Sequence, residues 1–294
     1  MTSAIVTTGL TKDYGSGHGL FDLDLEIAEG EVFGFLGPNG AGKTTTIRLL
    51  MAVVHATAGT ATIFGLDCDR DAVAVKREVG YLPGELPEFG GMRGSEVVAY
   101  LGGMRGGVDA ARVKELAERF ELDLERRFRE YSRGNKQKLG LVLAFMHRPR
   151  LLVLDEPTGG LDPLNQQTFH HLVGEVRASG ATVFLSSHVL SEVEETCSRV
   201  GIIRDGRLVS DMTMDKVHEL RYHEVVIEFE GDVPEAAVRA AAGVEDVKVD
   251  GAKLTCTVHG GFNALLAAIS GHTVVDLVSR EPSLESIFLS YYST

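Results

Sequence analysis

The amino-terminal part of the chain alternates between short strand patterns and glycine-rich turns. Hydrophobic and polar positions alternate over residues 4–8 and 22–27, as in strands with one buried face. Residues 31–36 form a short apolar strand that leads directly into glycines, and residues 44–54 carry the spacing of a helix. A strand, a glycine-rich loop and a helix in this order are typical of a phosphate-binding site. Further short strands are predicted at residues 59–64 and 78–82.

The middle of the chain changes to a helical pattern and then to alternating strands and helices. Over residues 95–145 apolar residues recur every three or four positions, which predicts a helical insertion. Strands at residues 151–154 and 182–186 flank a helix over about residues 163–179. Because strands joined through a helix usually pair in parallel, this order predicts an α/β core.

The pattern changes again beyond about residue 216, where short strands and helices alternate. The predicted order resembles the β-α-β-β-α-β arrangement of a small α+β unit, in which acidic side chains outnumber basic ones about two to one. The strands are predicted at residues 224–230, 254–258 and 273–278, and the helices near residues 235–242 and 263–270.

These patterns together predict two domains. The first, residues 1–215, is an α/β core with antiparallel strands near its start and a helical subdomain at about residues 90–147. The second, residues 216–294, is a small acidic α+β accessory domain.

The charge and the cysteines of the chain limit its partners and its compartment. The formal net charge is −13 at pH 7, and a surface of that sign repels nucleic acids and anionic lipids. We therefore expect no nucleic-acid partner. We also expect that any association with a membrane is through another protein. Cys68, Cys197 and Cys256 lack the spacing of a disulfide framework or a zinc site, which fits a reducing cytoplasm. No stretch approaches the roughly 18 apolar residues of a membrane span, and no signal-peptide pattern begins the chain.

The glycine-rich loop matches the P-loop pattern G-x-x-x-x-G-K-[ST] and lies between a predicted strand and a predicted helix. In such a loop backbone N–H groups surround phosphate oxygens, Lys43 reaches the β- and γ-phosphates, and the Thr44 hydroxyl can ligate Mg²⁺. An accidental glycine-rich turn is the alternative, and the flanking strand and helix disfavour it. The predicted ATP-binding residues of this loop are Gly37, Pro38, Asn39, Gly40, Ala41, Gly42, Lys43, Thr44 and Thr45.

Two consecutive carboxylates end the apolar strand that follows the helical block. In P-loop enzymes an aspartate at such a strand end holds Mg²⁺, here Asp155. A following glutamate such as Glu156 can polarise the water that attacks the γ-phosphate. An acidic pair can also be a solvated turn, but the P-loop in the same chain favours the catalytic interpretation.

The stretch from Tyr131 to Asn135 resembles the signature of ABC-transporter ATPases, whose usual form is Leu-Ser-Gly-Gly-Gln. Ser132 and Gly134 match that form, whereas Tyr131, Arg133 and Asn135 depart from it. Ser132 is also a good N-cap for the apolar helix that follows, so the same hydroxyl can serve the helix and a phosphate.

Three further positions strengthen the resemblance, which covers about residues 4–215. Asp162 lies in a stretch that resembles the D-loop, and His188 lies in one that resembles the switch-histidine segment. The resemblance implies that His188 contacts the γ-phosphate and acts with Glu156 in catalysis. Tyr14 resembles the aromatic residue that stacks on adenine.

One departure concerns the metal. The family normally places a glutamine near Mg²⁺ between the P-loop and the helical block, but the corresponding run here, residues 81–85, has Gly84 at that point. Either Glu85 supplies an oxygen ligand instead, or water completes the Mg²⁺ shell. The departure bears on glutamine-dependent coupling to a membrane subunit and not on ATP binding.

The end of the chain resembles the daunorubicin/multidrug-type branch of ABC-2 export ATPases. A similar Ser-Leu-Glu-x-Ile-Phe stretch occurs in that branch, and residues 283–288 match it here. A generic amphipathic terminal helix is the alternative interpretation.

The resemblance implies a head-to-tail dimer with two ATP molecules and Mg²⁺ in its interface. The P-loop of one subunit would face the signature of the other, and the second subunit is predicted to be another copy of this chain. The other implied partner is a separate transmembrane permease, which would hold the chain at the cytoplasmic face of the cell membrane. The signature residues that would act across the interface are Ser132, Arg133, Gly134 and Asn135.

The expected function is therefore that of the ATP-hydrolysing subunit of an ABC exporter. An importer subunit would have the same core, and only the terminal resemblance favours export. ABC ATPases that act on ribosomes or DNA carry two such cores or long coiled coils, which this sequence lacks. A nucleotide-binding regulator without hydrolysis would be expected to lack Glu156 or His188.

Overall fold

The computed structural model describes residues 2–219 and 222–280. The chain divides into two compact units, Met1–Thr213 and Met214–Thr294, a division that falls two residues before the boundary expected from the sequence. The terminal stretch that resembles drug-export ATPases, residues 283–288, lies outside the described residues.

The described residues of the first unit form alternating strands and helices. Its strands are β1 (Ser3–Asp13), β2 (Gly19–Ala28), β3 (Val32–Leu36), β4 (Ala58–Ile63), β5 (Leu66–Asp67), β6 (Val79–Leu82), β7 (Leu151–Asp155), β8 (Thr182–Ser187), β9 (Arg199–Arg204) and β10 (Arg207–Thr213). Its α-helices are α1 (Lys43–Leu50), α2 (Ala72–Glu78), α3 (Gly94–Gly103), α4 (Ala110–Arg119), α5 (Arg133–Phe145), α6 (Pro163–Ala178) and α7 (Leu190–Thr196).

Two sheets organise these strands. A four-stranded antiparallel sheet has the order β2-β1-β4-β5, and a six-stranded sheet has the order β10-β9-β3-β8-β7-β6. In the six-stranded sheet all neighbours pair in parallel except β10, which is antiparallel to β9 at the edge. The predicted α/β class with an antiparallel β subdomain is confirmed.

The parallel sheet brings the predicted motifs to one edge. Every residue of β3, β7 and β8 is buried, as expected for strands covered on both faces. Leu36 pairs with Ser187, and Asp155 pairs with Ser186. Because parallel strands end at the same side of the sheet, the glycine-rich loop, the acidic pair and the histidine segment lie together.

The predicted helical insertion lies between β6 and β7. It consists of α3, α4, a short 3-10 helix (Phe128–Glu130) and α5. The Ser132 hydroxyl accepts a hydrogen bond from the Asn135 N–H and caps α5, as the sequence predicted. The second half of α5 is buried, and this anchors the helix in the core.

The second unit is a small α+β fold. Its helices are α8 (Met214–Glu219), α9 (Glu235–Arg239) and α10 (Asn263–Ala268), and its strands are β11 (Tyr222–Glu230), β12 (Val244–Asp250), β13 (Lys253–His259) and β14 (Thr273–Arg280). The strands form an antiparallel sheet in the order β12-β13-β11-β14, which is the split β-α-β arrangement. Alternate residues of β11 and β13, such as Ile227 and Leu254, form its core with α9 and α10.

Candidate functional site

The glycine-rich loop follows β3 and leads into α1 through backbone conformations that glycine favours. Gly40 and Gly42 have φ values of 83° and 113°, in the left-handed region. A Cβ at Gly37 would lie 2.3 Å from the Ile203 carbonyl oxygen, so this position also excludes a side chain. The Gly37 N–H donates to the Ser187 carbonyl at 3.2 Å and ties the loop to β8. Left-handed glycines in a loop between a strand and a helix are the backbone pattern on which phosphate-binding loops are built.

Lys43 is the cation of this loop. It is only 5% exposed, and its Nζ donates to the carbonyls of Gly37 and Pro38. The same Nζ lies 3.2 Å from Glu156 Oε1. A buried ammonium held by carbonyls and one carboxylate provides a positive charge where a phosphate can bind.

Asp155 and Glu156 end β7, and one hydroxyl organises both. Ser186 on β8 is fully buried, and its Oγ donates to Asp155 Oδ1 at 2.6 Å. The same Oγ accepts the Glu156 N–H at 3.0 Å. Ser186 therefore fixes the Asp155 carboxylate and the backbone of Glu156 relative to each other.

Glu156 lies between Lys43 and His188. His188 Nδ1 lies 2.7 Å from Glu156 Oε2, while Oε1 faces Lys43. Glu156 has φ of 50°, a left-handed conformation that costs a non-glycine residue about 1–2 kcal/mol. A strained residue that contacts a lysine and a histidine through its two oxygens is typical of a functional site.

Ser187 and Glu192 hold the histidine segment from its other side. Ser187 Oγ donates to Glu192 Oε2 at 2.7 Å and accepts the Val189 N–H at 2.9 Å. These bonds fix the turn between β8 and α7, on which His188 lies.

The predicted signature lies at the exposed start of α5. Arg133 and Gly134 lie beside Gly160 of the same chain: a Cβ at Gly134 would lie 2.8 Å from the Gly160 carbonyl oxygen. No contact described for the first unit joins Ser132 to Lys43 or Asp155. The structure therefore leaves the Ser132 side chain accessible to another molecule.

Two other predicted residues lie outside the Lys43–Glu156–His188 cluster. Tyr14 is 53% exposed, in the turn between β1 and β2, and its ring lies 5.4 Å from Lys12 Nζ. Asp162 caps α6, and hydrogen bonds from the backbone and side chain of Asn165 lower the pKa of its carboxyl.

The loop after β6 places Gly84 against the predicted metal ligand. A Cβ at Gly84 would lie 3.1 Å from Asp155 Oδ2, and Glu85 is exposed. Among residues 2–219 and 222–280, no three His, Cys, Asp or Glu side chains cluster as a metal site. The Asp155 carboxylate and the exposed Thr44 hydroxyl are hard oxygen donors that suit Mg²⁺, which keeps several waters and binds phosphate oxygens.

We expect Gly84→Ala to raise the Mg²⁺ concentration that half-saturates ATP hydrolysis by about threefold to tenfold. The added methyl group would crowd the Asp155 oxygen and displace either that carboxylate or a water beside it. Titration of Mg²⁺ at fixed ATP measures the effect. Gly91→Ala is the control, because a Cβ there meets nothing within 4 Å. Equal Mg²⁺ requirements for both variants would contradict the placement of the metal at Asp155.

Gln137 is a residue of this region that the sequence did not single out. Its side chain donates to the carbonyls of Glu156 and Pro157 at 3.0 and 2.9 Å. The sequence feature that could have identified Gln137 is a polar residue next to the apolar part of a predicted helix. In the structure its side chain is half-buried.

A strand, a glycine-rich loop and a helix, with an Asp-Glu pair at the end of a nearby parallel strand, define a P-loop nucleoside triphosphatase. A profile of the ABC transporter family matches residues 20–159. A bacitracin transport ATP-binding protein of Enterococcus faecalis is 36% identical over 74% of this chain and 72% of its own length. A daunorubicin resistance ATP-binding protein of Streptomyces coeruleorubidus is 33% identical over 98% of this chain and 95% of its own length.

Solved structures agree with these relatives. The structure of an ATP-binding subunit of an ABC transporter matches this fold with a TM-score of 0.67 at 28% identity, over 73% of this chain and 92% of that one. The chain belongs to the ABC transporter family, as one of its ATP-binding subunits, and is an ATPase. No helix in the described part of the chain is long and apolar enough to cross a membrane.

Proposed function

We propose that the chain is the ATP-hydrolysing motor of an exporter and moves a small molecule outward through a separate membrane permease. The observation that carries the catalytic part is the placement of Glu156 between Lys43 and His188. Export is supported by the relatives, which include a bacitracin transport protein and a daunorubicin resistance protein. The chain would lie at the cytoplasmic face of the membrane, bound to the permease.

ATP would bind with its phosphates in the glycine-rich loop. Lys43 would exchange its contact with Glu156 for the β- and γ-phosphates, while the loop N–H groups bind the phosphate oxygens. Thr44 and Asp155 would hold Mg²⁺, which neutralises phosphate charge when bound. Tyr14 would stack on the adenine.

Hydrolysis would use the carboxylate of Glu156. Released from Lys43, this carboxylate can accept the proton of a water molecule as the water oxygen attacks the γ-phosphorus and the bond to the β-phosphate oxygen breaks. His188 would hold the carboxylate through Oε2 and donate toward the γ-phosphate. Ser186 fixes the backbone from which Glu156 acts.

A second copy of the chain would complete each site. Ser132 caps α5 at an exposed helix start, where its hydroxyl and the first N–H groups can meet a phosphate. In the proposed dimer two ATP molecules bind between the P-loop of one chain and the signature of the other. Asp162 would lie at the same interface, since it begins α6 beside that signature.

Proteoliposomes that carry the full chain and its permease, with the ATPase facing outward, test this function. Export predicts that ATP drives a probe such as daunorubicin into the vesicle lumen, and that Glu156→Gln stops the uptake. ATP hydrolysis without movement of any probe would favour an ATPase that is not coupled to drug export. Movement of a probe out of the lumen would instead identify an importer.

A further inference from the structure

The backbone of Glu156 is held by three partners. Its N–H donates to Ser186 Oγ at 3.0 Å, and its carbonyl accepts the Gly159 N–H at 3.1 Å and the Gln137 side chain at 3.0 Å. Ser186 belongs to strand β8 of the core, and Gly159 belongs to the turn that follows Glu156. Gln137 is different, because it comes from the helical insertion.

Gln137 reaches this turn from the second turn of α5. Its Nε2 donates to the Glu156 carbonyl and, at 2.9 Å, to the Pro157 carbonyl. The two N–H groups of this amide nitrogen each donate to one of two consecutive carbonyls, and together they fix the orientation of the peptide that follows Glu156. The left-handed φ of 50° at Glu156 is the conformation that needs such support.

The same helix contacts the rest of the segment from Glu156 to Asp162. A Cβ at Gly134 would lie 2.8 Å from the Gly160 carbonyl oxygen, so the two backbones approach closely. Lys138, whose side chain is 10% exposed, lies 4.0 Å from Asp162 Oδ2. The start of α5 therefore contacts this segment near both of its ends and in its middle.

We infer that Gln137 is a positioning residue for hydrolysis: it fixes the turn of Glu156 and ties the catalytic carboxylate to the helix capped by Ser132. The inference rests on the proposed role of Glu156 as the base. Movement of α5 then moves the Glu156 carboxylate, so contacts made at the signature reach the catalytic group of the same chain. Gln137 donates only to backbone carbonyls, and it therefore affects the rate and not the binding of ATP.

Steady-state hydrolysis of Mg²⁺-ATP by the full chain tests the inference with two variants. Gln137→Ala removes both donors, and Gln137→Glu keeps the size but turns a donor into an acceptor against two carbonyls. We expect kcat to fall by about 10- to 100-fold in each, with KM within about threefold of the wild type, because small displacements of a catalytic group cost rate. Lys136→Ala is the matched control: Lys136 lies on the same helix, and its described contacts are with Glu88 in the loop after β6 and with the Phe128 ring, not with the turn. We expect its kcat within about twofold of the wild type.

A double-variant cycle separates positioning from a general loss of structure. If Gln137 acts through Glu156, adding Gln137→Ala to Glu156→Gln lowers the single-turnover rate no further. A further tenfold loss in the double variant, or a wild-type kcat in Gln137→Glu, would overturn the inference. A Gln137→Ala variant with raised KM and a lower unfolding midpoint would assign the residue to folding alone. Full activity of Glu156→Gln is a separate outcome: it would show that Glu156 is not the base and would contradict the proposed function and not only the role of Gln137.

Discussion

The Glu156→Gln variant is expected to hydrolyse ATP at least about 100-fold more slowly than the wild type and to bind ATP as tightly or more tightly. The amide keeps the size of the side chain but cannot accept the proton of the attacking water, and general-base catalysis contributes about 10²–10⁴-fold. The substitution also leaves Lys43, which is 5% exposed, without its carboxylate partner. We expect the phosphates of ATP to take the place of this carboxylate beside the buried ammonium.

Single-turnover hydrolysis measures the rate of the variant, and ATP-dependent light scattering measures whether it stays dimeric with ATP bound. The variant should accumulate as an ATP-bound dimer, because closure persists when hydrolysis is blocked. The control for the loss of a carboxylate is Glu118→Gln, which changes an exposed side chain on α4 and should hydrolyse ATP at the wild-type rate. Asp162→Asn would not serve, because Asp162 caps α6 and its substitution would also affect that helix. Residual activity of Glu156→Gln above a tenth of the wild-type rate would assign the base to another group.

Lys43→Ala is expected to weaken ATP binding by about 10- to 100-fold, as expected when charge-assisted bonds of about 1.5–3 kcal/mol are lost. Two effects act together. The phosphates lose their ammonium, and Glu156 Oε1, a buried oxygen that faces Lys43 Nζ at 3.2 Å, loses its cationic partner beside the glycine-rich loop. Equilibrium titration with a fluorescent ATP analogue measures the affinity.

Two variants make the test of Lys43 specific. Lys114→Ala removes a lysine whose side chain is 77% exposed and should bind ATP like the wild type. Lys43→Ala combined with Glu156→Gln removes the unpaired carboxylate and should recover part of the affinity. Unchanged binding in Lys43→Ala would show that the loop N–H groups alone hold the phosphates.

The sequence predicted the parts of the core in which local pattern and burial agree. The strand of residues 151–154 was recognised because all its residues are apolar, and the structure buries every residue of β7. β12 was missed because its charged residues alternate with valines of which only Val247 is buried. β10 was also missed: it has no fully buried residue, and it alternates exposed and half-buried positions, with Leu208 packed against the core. The helix predicted to reach residue 54 ends at Leu50, and Ala52 turns back with φ of 47°.

The candidate site was predictable to the extent that its residues lie in motifs. The glycine-rich loop, the Asp-Glu pair and the histidine each have a recognisable order along the chain. The links among them depend on register between distant strands, such as the pairing of Asp155 with Ser186 across 31 positions. Gln137 is linked to Glu156 by a hydrogen bond between two elements that are distant in sequence, which patterns of single residues do not encode.

The left-handed backbone at Glu156 also limits which residues evolution and mutagenesis can use there. Asparagine, aspartate and glycine adopt this conformation most readily, and β-branched residues such as valine or threonine are strongly disfavoured. A β-branched substitution at position 156 would therefore lose activity through misfolding of the turn as well as through loss of the carboxylate. The backbone conformation therefore limits the residue types that position 156 can hold, and the glutamate is one of the types that this conformation allows.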